Sequence, residues 1–211
     1  MKEILFWGAT GQSRVLHEAL QKSATLVALV DNRKLGETHL GVPLLHGEME
    51  LDHWLAQRIS NKKLHFAVAV GGARGRDRLM LMDALEHRGL VVHSIIHRTA
   101  FVASNAVIGD GAQILAQAAV CSGVQLGRGV IVNTAASVDH DCEIGDGVHV
   151  APGARLAGEI KVGKRAFIGI GAVILPRLTI GDDAIVGAGT VVIRDVPAGT
   201  KVVGNPARVL E

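Results

Sequence analysis

The stretch VNTAASVDHDCEIGDGVHVAPGARLAGEIKVG, residues 132–163, carries an aliphatic residue at every sixth position. The same spacing continues on both sides without interruption, from Val102 to Val192. The sixteen residues of the series are Val102, Ile108, Ile114, Val120, Leu126, Val132, Val138, Ile144, Val150, Leu156, Val162, Ile168, Ile174, Ile180, Val186 and Val192. Helix faces repeat near 3.6 residues and strand faces near two, so a period of six is typical of a parallel β-helix. We expect coils of about 18 residues, three hexads each, stacked about 4.8 Å apart by strand pairing.

The composition fits such a thin-walled fold. Hydrophobic residues make up 48% of the 211 residues, yet aromatic residues make up only 3%, and 26 residues are glycine. The core must therefore consist mainly of small aliphatic side chains. Cys142 falls in a small-residue position of the hexads, which favours a role in the core over a role as a nucleophile.

Charge and hydropathy exclude several classes of protein. The net charge is +2, and no Lys/Arg tract indicates nucleic-acid binding. No run of 18 apolar residues predicts a membrane span, and the start, MKEILFWGAT, has too short an apolar run for a signal peptide. Two cysteines are too few for a disulfide framework or a zinc site. We expect a cytoplasmic protein without a bound metal.

The sequence before residue 99 has a different pattern, in which short apolar segments predict strands and helical patterns lie between some of them. The strand segments are KEILFWGA, ATLVALVD, LHFAVAVGG and LVVHSII, and the helical patterns span 12–22 and 76–88. Strands that alternate with helices indicate a small Rossmann-like parallel sheet. We therefore predict two domains, 1–98 with this sheet and 99–211 with the β-helix.

The first predicted strand runs into the turn GATG, residues 8–11, and the second ends at Asp31. In dinucleotide-binding folds such a turn approaches a phosphate and the acid binds a ribose. The glycine fingerprint is incomplete here, so a tight strand-to-helix turn is the alternative. We favour a site for a nucleotide or nucleotide sugar at the carboxyl ends of the strands, where open parallel sheets bind ligands.

His140, Asp141 and His149 occupy neither the aliphatic nor the small-residue positions of the hexads, so packing does not require them. A histidine followed by a carboxylate on a rigid wall is a candidate general base, because the carboxylate sets its tautomer and basicity. His140 and His149 are nine residues apart, which is half of one coil, so we expect them on opposite parts of the wall. If both serve one reaction, His140 of one chain must face His149 of a neighbour, and the active site lies between subunits.

At these residues the chain resembles the hexapeptide-repeat acyltransferases, in particular the bacterial branch that acetylates sugars and nucleotide-linked sugars. The resemblance spans nearly the whole chain: WGATGQS, VDN after the second strand, the block at 132–163, and the closing VVGNPARVL. It implies a left-handed β-helix, a homotrimer with active sites between subunits, and acetyl-CoA as cosubstrate in a groove between coils.

The resemblance also implies roles for individual residues. His140 would deprotonate the acceptor, and Asp141 would raise the basicity of His140. Four residues would bind acetyl-CoA: His149, Gly158, Ile170 and Ala188. Seven residues would bind the nucleotide sugar, the last of them at a polar position of the active site: Thr10, Gly11, Gln12, Asp31, Asn32, Gly71 and Asn133.

The chain departs from its relatives at three places, all in the nucleotide-sugar half. Relatives often have Gly-His-Gly where this chain has Gly11-Gln12-Ser13, two acids where it has Asp31-Asn32, and Gly-Asn-Asn where it has Gly71-Gly72-Ala73. The resemblance therefore supports acetyl transfer more strongly than it identifies the acceptor.

We predict an acetyl-CoA-dependent N-acetyltransferase that acts on a UDP-linked 4-amino sugar in bacterial glycan or glycoprotein biosynthesis. The alternatives are an O-acetyltransferase acting on a sugar of the sialic acid type, and a nucleotide-binding scaffold or sensor without catalysis. A metal-dependent carbonic anhydrase can use the same β-helix, but it needs three histidine ligands and the hexads contain two histidines.

Overall fold

The structure, a computed structural model, describes residues 1–21, 23–36, 40–59 and 62–210. Its N-terminal part is an entirely parallel sheet with the strand order β3-β2-β1-β4-β5. The elements are β1 Lys2–Trp7, α1 Gly11–Leu20, β2 Ala24–Asp31, β3 Leu44–His46, α2 Gly47–Gln57, β4 Leu64–Val68, α3 Gly75–His87 and β5 Val91–Val92. The predicted parallel sheet is thus present. Residue 22, the last of the first predicted helix, lies outside the described residues.

Two elements, β3 and α2, lack a clear signal in the sequence. In α2 only Leu51 is buried, so the helix has no apolar stripe of the kind that sequence patterns detect. The predicted strand LVVHSII is divided between two sheets, because β5 pairs with β4 while β6, Ile95–Ile96, pairs with β9 of the C-terminal part. Ile96 already occupies the six-residue series, and strand pairing of the second part therefore begins slightly before the predicted boundary at 98.

The C-terminal part is a three-sided parallel β-helix, which we call the prism. Each face is one sheet, and the paired strands from β6 to β22 lie 18 residues apart, as in Ser137↔Arg155. The faces are ordered β24-β23-β21-β18-β15-β12-β9-β6, β22-β19-β16-β13-β10-β7 and β20-β17-β14-β11-β8. All but the last of the strands, β24, run parallel to their neighbours.

The prism strands are short and lie six residues apart along most of their length. They are β6 Ile95–Ile96, β7 Phe101–Val102, β8 Val107–Ile108, β9 Gln113–Ile114, β10 Ala119–Val120, β11 Gln125–Leu126, β12 Ile131–Val132, β13 Ser137–Val138, β14 Glu143–Ile144, β15 His149–Val150, β16 Arg155–Leu156, β17 Lys161–Val162, β18 Phe167–Ile168, β19 Val173–Ile174, β20 Thr179–Ile180, β21 Ile185–Val186, β22 Val191–Val192, β23 Lys201–Val203 and β24 Arg208–Val209. The second residue of each hexad strand from β9 to β22 is buried in one continuous aliphatic core that also contains Cys142. The sequence period is therefore the period of the core.

The three faces differ in what covers their outward side chains. The face that contains β15 is covered by the N-terminal part, and its outward residues Gln113, Ile131 and His149 are buried; we call it the seam face. The face that contains β13 presents Ala119, Val173 and Val191 half-buried and Phe101 exposed; we call it the apolar face. The third face, which contains β14, presents exposed Gln125, Glu143, Lys161 and Thr179; we call it the charged face.

Helix α3 packs along the corner between the charged face and the seam face. Gly111, Gly129 and Gly147 lie at this corner in three successive coils, each with positive φ. The side chains of Met82 and Leu79 and the backbone of Gly75 approach these glycines so closely that a Cβ there would be crowded by them. Glycine at this corner, with its positive φ, therefore favours close docking of the helix. No helix within the described ranges is long and apolar enough to cross a membrane.

Candidate active site

His140 and Asp141 lie at the corner between the apolar face and the charged face, which is the corner opposite the seam face. The backbone N–H of Asp141 donates to the carbonyl of Ser122 in the coil before, and the carbonyl of His140 accepts from Glu159 in the coil after, both at 2.9 Å. Asp141 has φ of 58°, in the left-handed region that Asp adopts more readily than most residues. The pair is thus anchored on both sides by the stacked coils.

The two side chains form a histidine–carboxylate dyad. Nδ1 of His140 lies 3.0 Å from Oδ2 of Asp141, so the neutral ring carries its proton on Nδ1 and leaves the Nε2 lone pair free. Both side chains are more than half exposed. The hydrogen bond to Asp141 raises the pKa of His140, and the carboxylates of Asp139 and Glu159 add to this effect. The geometry supports general-base chemistry at Nε2.

Two glycines give the dyad its room. Gly158, one coil after His140, lies directly against the imidazole, and a Cβ at that position would overlap Nε2. Gly123, one coil before Asp141, has φ of +72°, and a Cβ there would overlap the carboxylate. The structure therefore brings His140, Asp141 and Gly158 together at one corner.

A cavity of about 470 Å³ lies at the carboxyl edge of the N-terminal sheet. It includes six of the residues predicted to bind a nucleotide sugar. The lining residues are Trp7, Gly8, Thr10, Gly11, Gln12, Asp31, Asn32, Arg33, Ala69, Val70, Gly71, Arg74 and Leu81. The sequence reasoning did not identify Arg33 and Arg74. Their positive charges suit a diphosphate, but an exposed arginine has no sequence signal that distinguishes it from other surface arginines.

Asp31 uses both carboxylate oxygens within the chain. Oδ1 accepts from the backbone N–H and Nε of Arg33, and Oδ2 accepts from the N–H of Ala9 and from Nη2 of Arg33, at 2.8 to 3.0 Å. The hydrogen bond with the Arg33 side chain is the main cause that lowers the pKa of Asp31 to about 2. A ribose hydroxyl would therefore have to displace the guanidinium of Arg33, whose side chain is 61% exposed. The predicted contact with ribose requires Arg33 to move.

Gln12 connects this cavity to the prism. Its Nε2 donates to Oε1 of Gln113 at 2.8 Å, and Nε2 of Gln113 donates to the carbonyl of Val68 at 2.7 Å. The chain of donors orients the amide of Gln12 so that Oε1 is left as an acceptor beside Gly71. The departure from histidine at position 12 thus places a carbonyl oxygen at the cavity.

His149 lies at the seam, beside the cavity and away from His140. Its Cε1 is next to Gly71, and its ring stacks edge to face on Phe167 with centroids 5.4 Å apart. Asn133 fixes the tautomer: Oδ1 accepts from the N–H of Thr134, so Nδ2 donates to Nε2 of His149 at 3.0 Å. Nδ1–H of His149 then donates to the carbonyl of Gly72 at 3.3 Å. Both ring nitrogens are engaged within the chain.

Burial and, secondly, the charge of Arg78 lower the pKa of His149 to about 4. The unfolded chain takes up this proton near the ordinary pKa of 6.5, so between pH 6.5 and pH 4 it binds more protons than the folded chain. The stabilisation from the neutral ring is therefore complete above pH 6.5 and falls as the pH is lowered. We expect this loss to reach about 3 kcal/mol at most. The free energy of unfolding, measured by chemical denaturation at pH 7 and at pH 4.5 and at one protein concentration, gives this loss.

The matched variants for this prediction are His149→Gln and, as a control for the substitution, His87→Gln on the exposed end of α3. His149→Gln removes the titrating group but keeps an amide donor for Gly72, so its stability should depend less on pH than that of the wild type. Equal pH dependence of the wild type and His149→Gln would show that His149 does not titrate as its burial indicates.

Ile170 and Ala188 lie at the third corner, between the seam face and the apolar face, one coil apart and exposed. They are therefore separated from His140 and Gly158 by the full width of the apolar face. The predicted site residues thus form separate groups on one chain: the dyad with Gly158, the cavity with Asn133 and His149, and the two exposed residues of the third corner. Among the residues that the structure describes, no group of three or more His, Cys, Asp or Glu side chains is placed to hold a metal ion.

Comparison with protein families gives one match, to the model described as bacterial transferase hexapeptide (six repeats), over residues 159–194. No curated protein sequence matches the chain. Solved structures, in contrast, match it over its whole length.

One similar structure is a histidine-to-asparagine mutant of perosamine N-acetyltransferase from Caulobacter crescentus in complex with CoA and GDP-perosamine. Its sequence is 33% identical to that of the present chain, and the two structures superpose with a TM-score of 0.91. The match covers 100% of the present chain and 98% of the Caulobacter protein. A second is the acetyltransferase domain of PglB from Neisseria gonorrhoeae FA1090, with 34% identity, a TM-score of 0.87 and full coverage of both chains. A third is WeeI from Acinetobacter baumannii AYE, with 31% identity, a TM-score of 0.86 and full coverage of both. These likenesses confirm the predicted fold class, an α/β N-terminal part followed by a left-handed parallel β-helix.

Proposed function

We propose, because the chain belongs to the bacterial sugar acetyltransferases of the hexapeptide-repeat family, that it acetylates the amino group of a nucleotide-linked 4-amino sugar in glycan or glycoprotein biosynthesis. It is an acetyl-CoA-dependent acyltransferase whose acceptor is a sugar amine. We propose UDP as the nucleotide. The observation that carries the proposed chemistry is the His140–Asp141 dyad, with Nδ1 bonded to the carboxylate and Nε2 free beside Gly158.

The proposed reaction is a direct transfer. The acceptor amine attacks the thioester carbonyl, and Nε2 of His140 accepts the proton that the amine loses. The N–C bond forms, the C–S bond breaks, and the proton held by His140 passes to the departing thiolate to give free CoA. The backbone N–H of Gly158 lies at the same corner and would stabilise the oxyanion of the tetrahedral intermediate.

The nucleotide sugar would lie in the cavity of the N-terminal sheet, with its diphosphate near Arg33 and Arg74. Thr10, Gly11 and Asn32 line the same cavity and supply polar contacts. Arg33 pairs with Asp31 and Arg74 pairs with Asp77, so the arginines offer guanidinium donors to phosphate oxygens rather than an uncompensated positive charge. These donors support a nucleotide sugar more than a free sugar.

We propose that the chain assembles as a homotrimer, and the placement of these parts supports an active site shared between subunits. On one chain the dyad lies at the corner opposite the seam face, whereas the cavity lies beside the seam face. A single chain therefore does not bring the base and the acceptor together. The apolar face, with exposed Phe101 and half-exposed Val173 and Val191, offers a surface for association with a neighbour. Rotation about a threefold axis would then give three equivalent sites, each with Ile170 and Ala188 of one subunit near the dyad of another.

The proposal predicts that acetyl-CoA is consumed only when a suitable acceptor is present. Purified protein should release free thiol, detected with a chromogenic disulfide, on addition of a UDP-linked 4-amino sugar but not of its 4-hydroxyl counterpart. Calorimetry with UDP and with GDP tests the nucleotide separately. Turnover with a free sugar equal to that with the nucleotide sugar, together with no UDP binding, would favour O-acetylation and contradict the proposal; preferential binding of GDP would correct the nucleotide alone.

A further inference from the structure

The segment that follows β4 forms the wall between the nucleotide cavity and the prism, and its carbonyls are held in a regular way. The carbonyls of Val68, Val70 and Gly72, at every second residue, each accept a hydrogen bond from a different side chain; we call them the carbonyl row. The donors are Gln113 Nε2 at 2.7 Å, Arg78 Nη1 at 2.8 Å and His149 Nδ1 at 3.3 Å, in that order. Ala69 and Gly71, between them, line the cavity.

Arg78 is the donor that reaches furthest. It is fully buried near the start of α3. Besides the carbonyl of Val70, it contacts two successive coils of the prism: Nε donates to Gly129 at 2.7 Å and Nη2 donates to Gly147 at 2.6 Å. Nη2 also lies 3.3 Å from the carbonyl of Val148, which directly precedes His149. One guanidinium thus connects the cavity wall with the prism strand that carries His149.

Packing alone does not explain an arginine at this position. Leu79 and Met82, which both follow Arg78 on the helix, already pack against the glycine corner, and each hydrogen bond of Arg78 ends on a backbone carbonyl. Burial of a cation without a carboxylate is unfavourable, as shown by the pKa of Arg78, which burial lowers to about 10. A fork of several donors is needed where carbonyls from three segments must be held at fixed positions, which an apolar side chain cannot do.

We propose that Arg78 is a positioning residue for the transfer reaction: it fixes the carbonyl row on the prism and thereby sets where a sugar bound in the cavity lies relative to the acyl-transfer corner. This inference rests on the proposed function. Arg78 does not touch the substrate. It acts through the segment 68–72, and its loss should misplace the acceptor without removing the base or the distant corner with Ile170 and Ala188, to which acetyl-CoA is assigned.

The test compares Arg78→Met, which removes the donors and the charge, with Arg78→Lys, which keeps the charge and fewer donors. The matched control is Arg76→Met, the same substitution on the same helix at an exposed arginine. Since small displacements of reacting groups cost up to about 100-fold in rate, we expect Arg78→Met to lower kcat by about 10- to 100-fold. The KM for acetyl-CoA should stay within about threefold, with Arg78→Lys intermediate and Arg76→Met unchanged.

Hydrogen exchange supplies a readout that needs no substrate. Peptides that cover residues 64–72 should exchange faster in Arg78→Met than in the wild type, whereas prism peptides distant from α3 should not change. Should Arg78→Met fail to assemble, Arg78→Lys decides: lower kcat at unchanged KM for acetyl-CoA supports the proposal.

Two results would overturn the inference. One is a folded Arg78 variant with wild-type kcat. The other is faster exchange throughout the prism with kcat and both KM values changed together, which would indicate a general loss of stability. If Arg78→Met shows the expected exchange pattern but the wild type acetylates no nucleotide sugar, the result contradicts the proposed function and leaves the contact of Arg78 with the carbonyl row established.

Discussion

Replacement of His140 by alanine should lower the turnover number by about 10²- to 10⁴-fold, the range usual for loss of a general base. The dyad leaves Nε2 free at the corner where Gly158 gives it room, and the half-exposed ring contributes little to packing. We therefore expect the affinity for acetyl-CoA, measured by calorimetry, to stay within a few-fold of the wild type. Steady-state rates with saturating acetyl-CoA and acceptor give the turnover.

The controls separate the base from the surface charge. His53→Ala, at another exposed histidine, should have no effect on turnover. Asp141→Asn should lower the turnover number less than His140→Ala does. Because Asp141 raises the pKa of His140, loss of the carboxylate should move the acidic limb of the kcat/KM profile to lower pH. The base must be deprotonated to act, so in the wild type the rate rises with pH through the raised pKa. Turnover within a few-fold of the wild type in His140→Ala would remove His140 from the mechanism.

Mixed trimers should regain activity that neither parent has. We pair His140→Ala, which lacks the base, with Gly71→Leu, whose larger side chain would crowd the cavity between Gln12 and His149. In the proposed trimer each site takes its base from one subunit and its cavity from the next. When equal amounts of the two variants reassemble at random, the base is intact in about half of the sites and the cavity is intact in about half. About a quarter of the sites therefore combine an intact base with an intact cavity. Unfolding, mixing and refolding, followed by activity assays per subunit, measures the fraction.

The same experiment can also contradict a site that is shared between subunits. Sites built within single chains would all carry one defect, so verified mixed trimers would be as inactive as the parents. Each parent refolded alone provides the baseline, and refolded wild type provides the recovery that sets the scale. Native mass spectrometry confirms that subunits have exchanged.

The hexads were sufficient to predict the prism, because a β-helix repeats its core contacts along the sequence and every sixth side chain reports the same environment. The dyad was predictable for a related reason: His140 and Asp141 are adjacent in sequence and lie at a corner, so no long-range packing decides their contact. The segment LVVHSII reads as one strand, yet it is divided between two sheets, because Ile96 already belongs to the six-residue series.

The seam was not predictable from the sequence. The contacts of His149 with Gly72 and of Arg78 with the prism join residues about 70 positions apart, and they depend on how the two parts dock. Asp31 was expected to be free for a ligand, but Arg33, two residues later, occupies it. Gly111, Gly129 and Gly147 repeat at the coil period, but Gly153, Gly171 and Gly189 repeat in the same way with no neighbour within 4 Å, so the repeat alone does not identify the corner on which α3 docks.

The docking of α3 on the glycine corner also determines where whole coils can be inserted into the prism or deleted from it. From Met82 to Gly75 the helix rises about 10.5 Å, and two coils of the prism rise about 9.6 Å, so helix and prism advance in step over three coils. At the next two coils the corner carries Arg165 and Asp183 in place of glycine. They pair with each other at 2.6 Å beside the start of the helix, where Nη2 of Arg76 also lies 3.9 Å from Asp183. Whole coils inserted or deleted beyond this pair would therefore leave the docking of the N-terminal part intact. The number of coils can vary toward the C-terminal end of the prism, whereas the coils that contact α3 must keep their spacing.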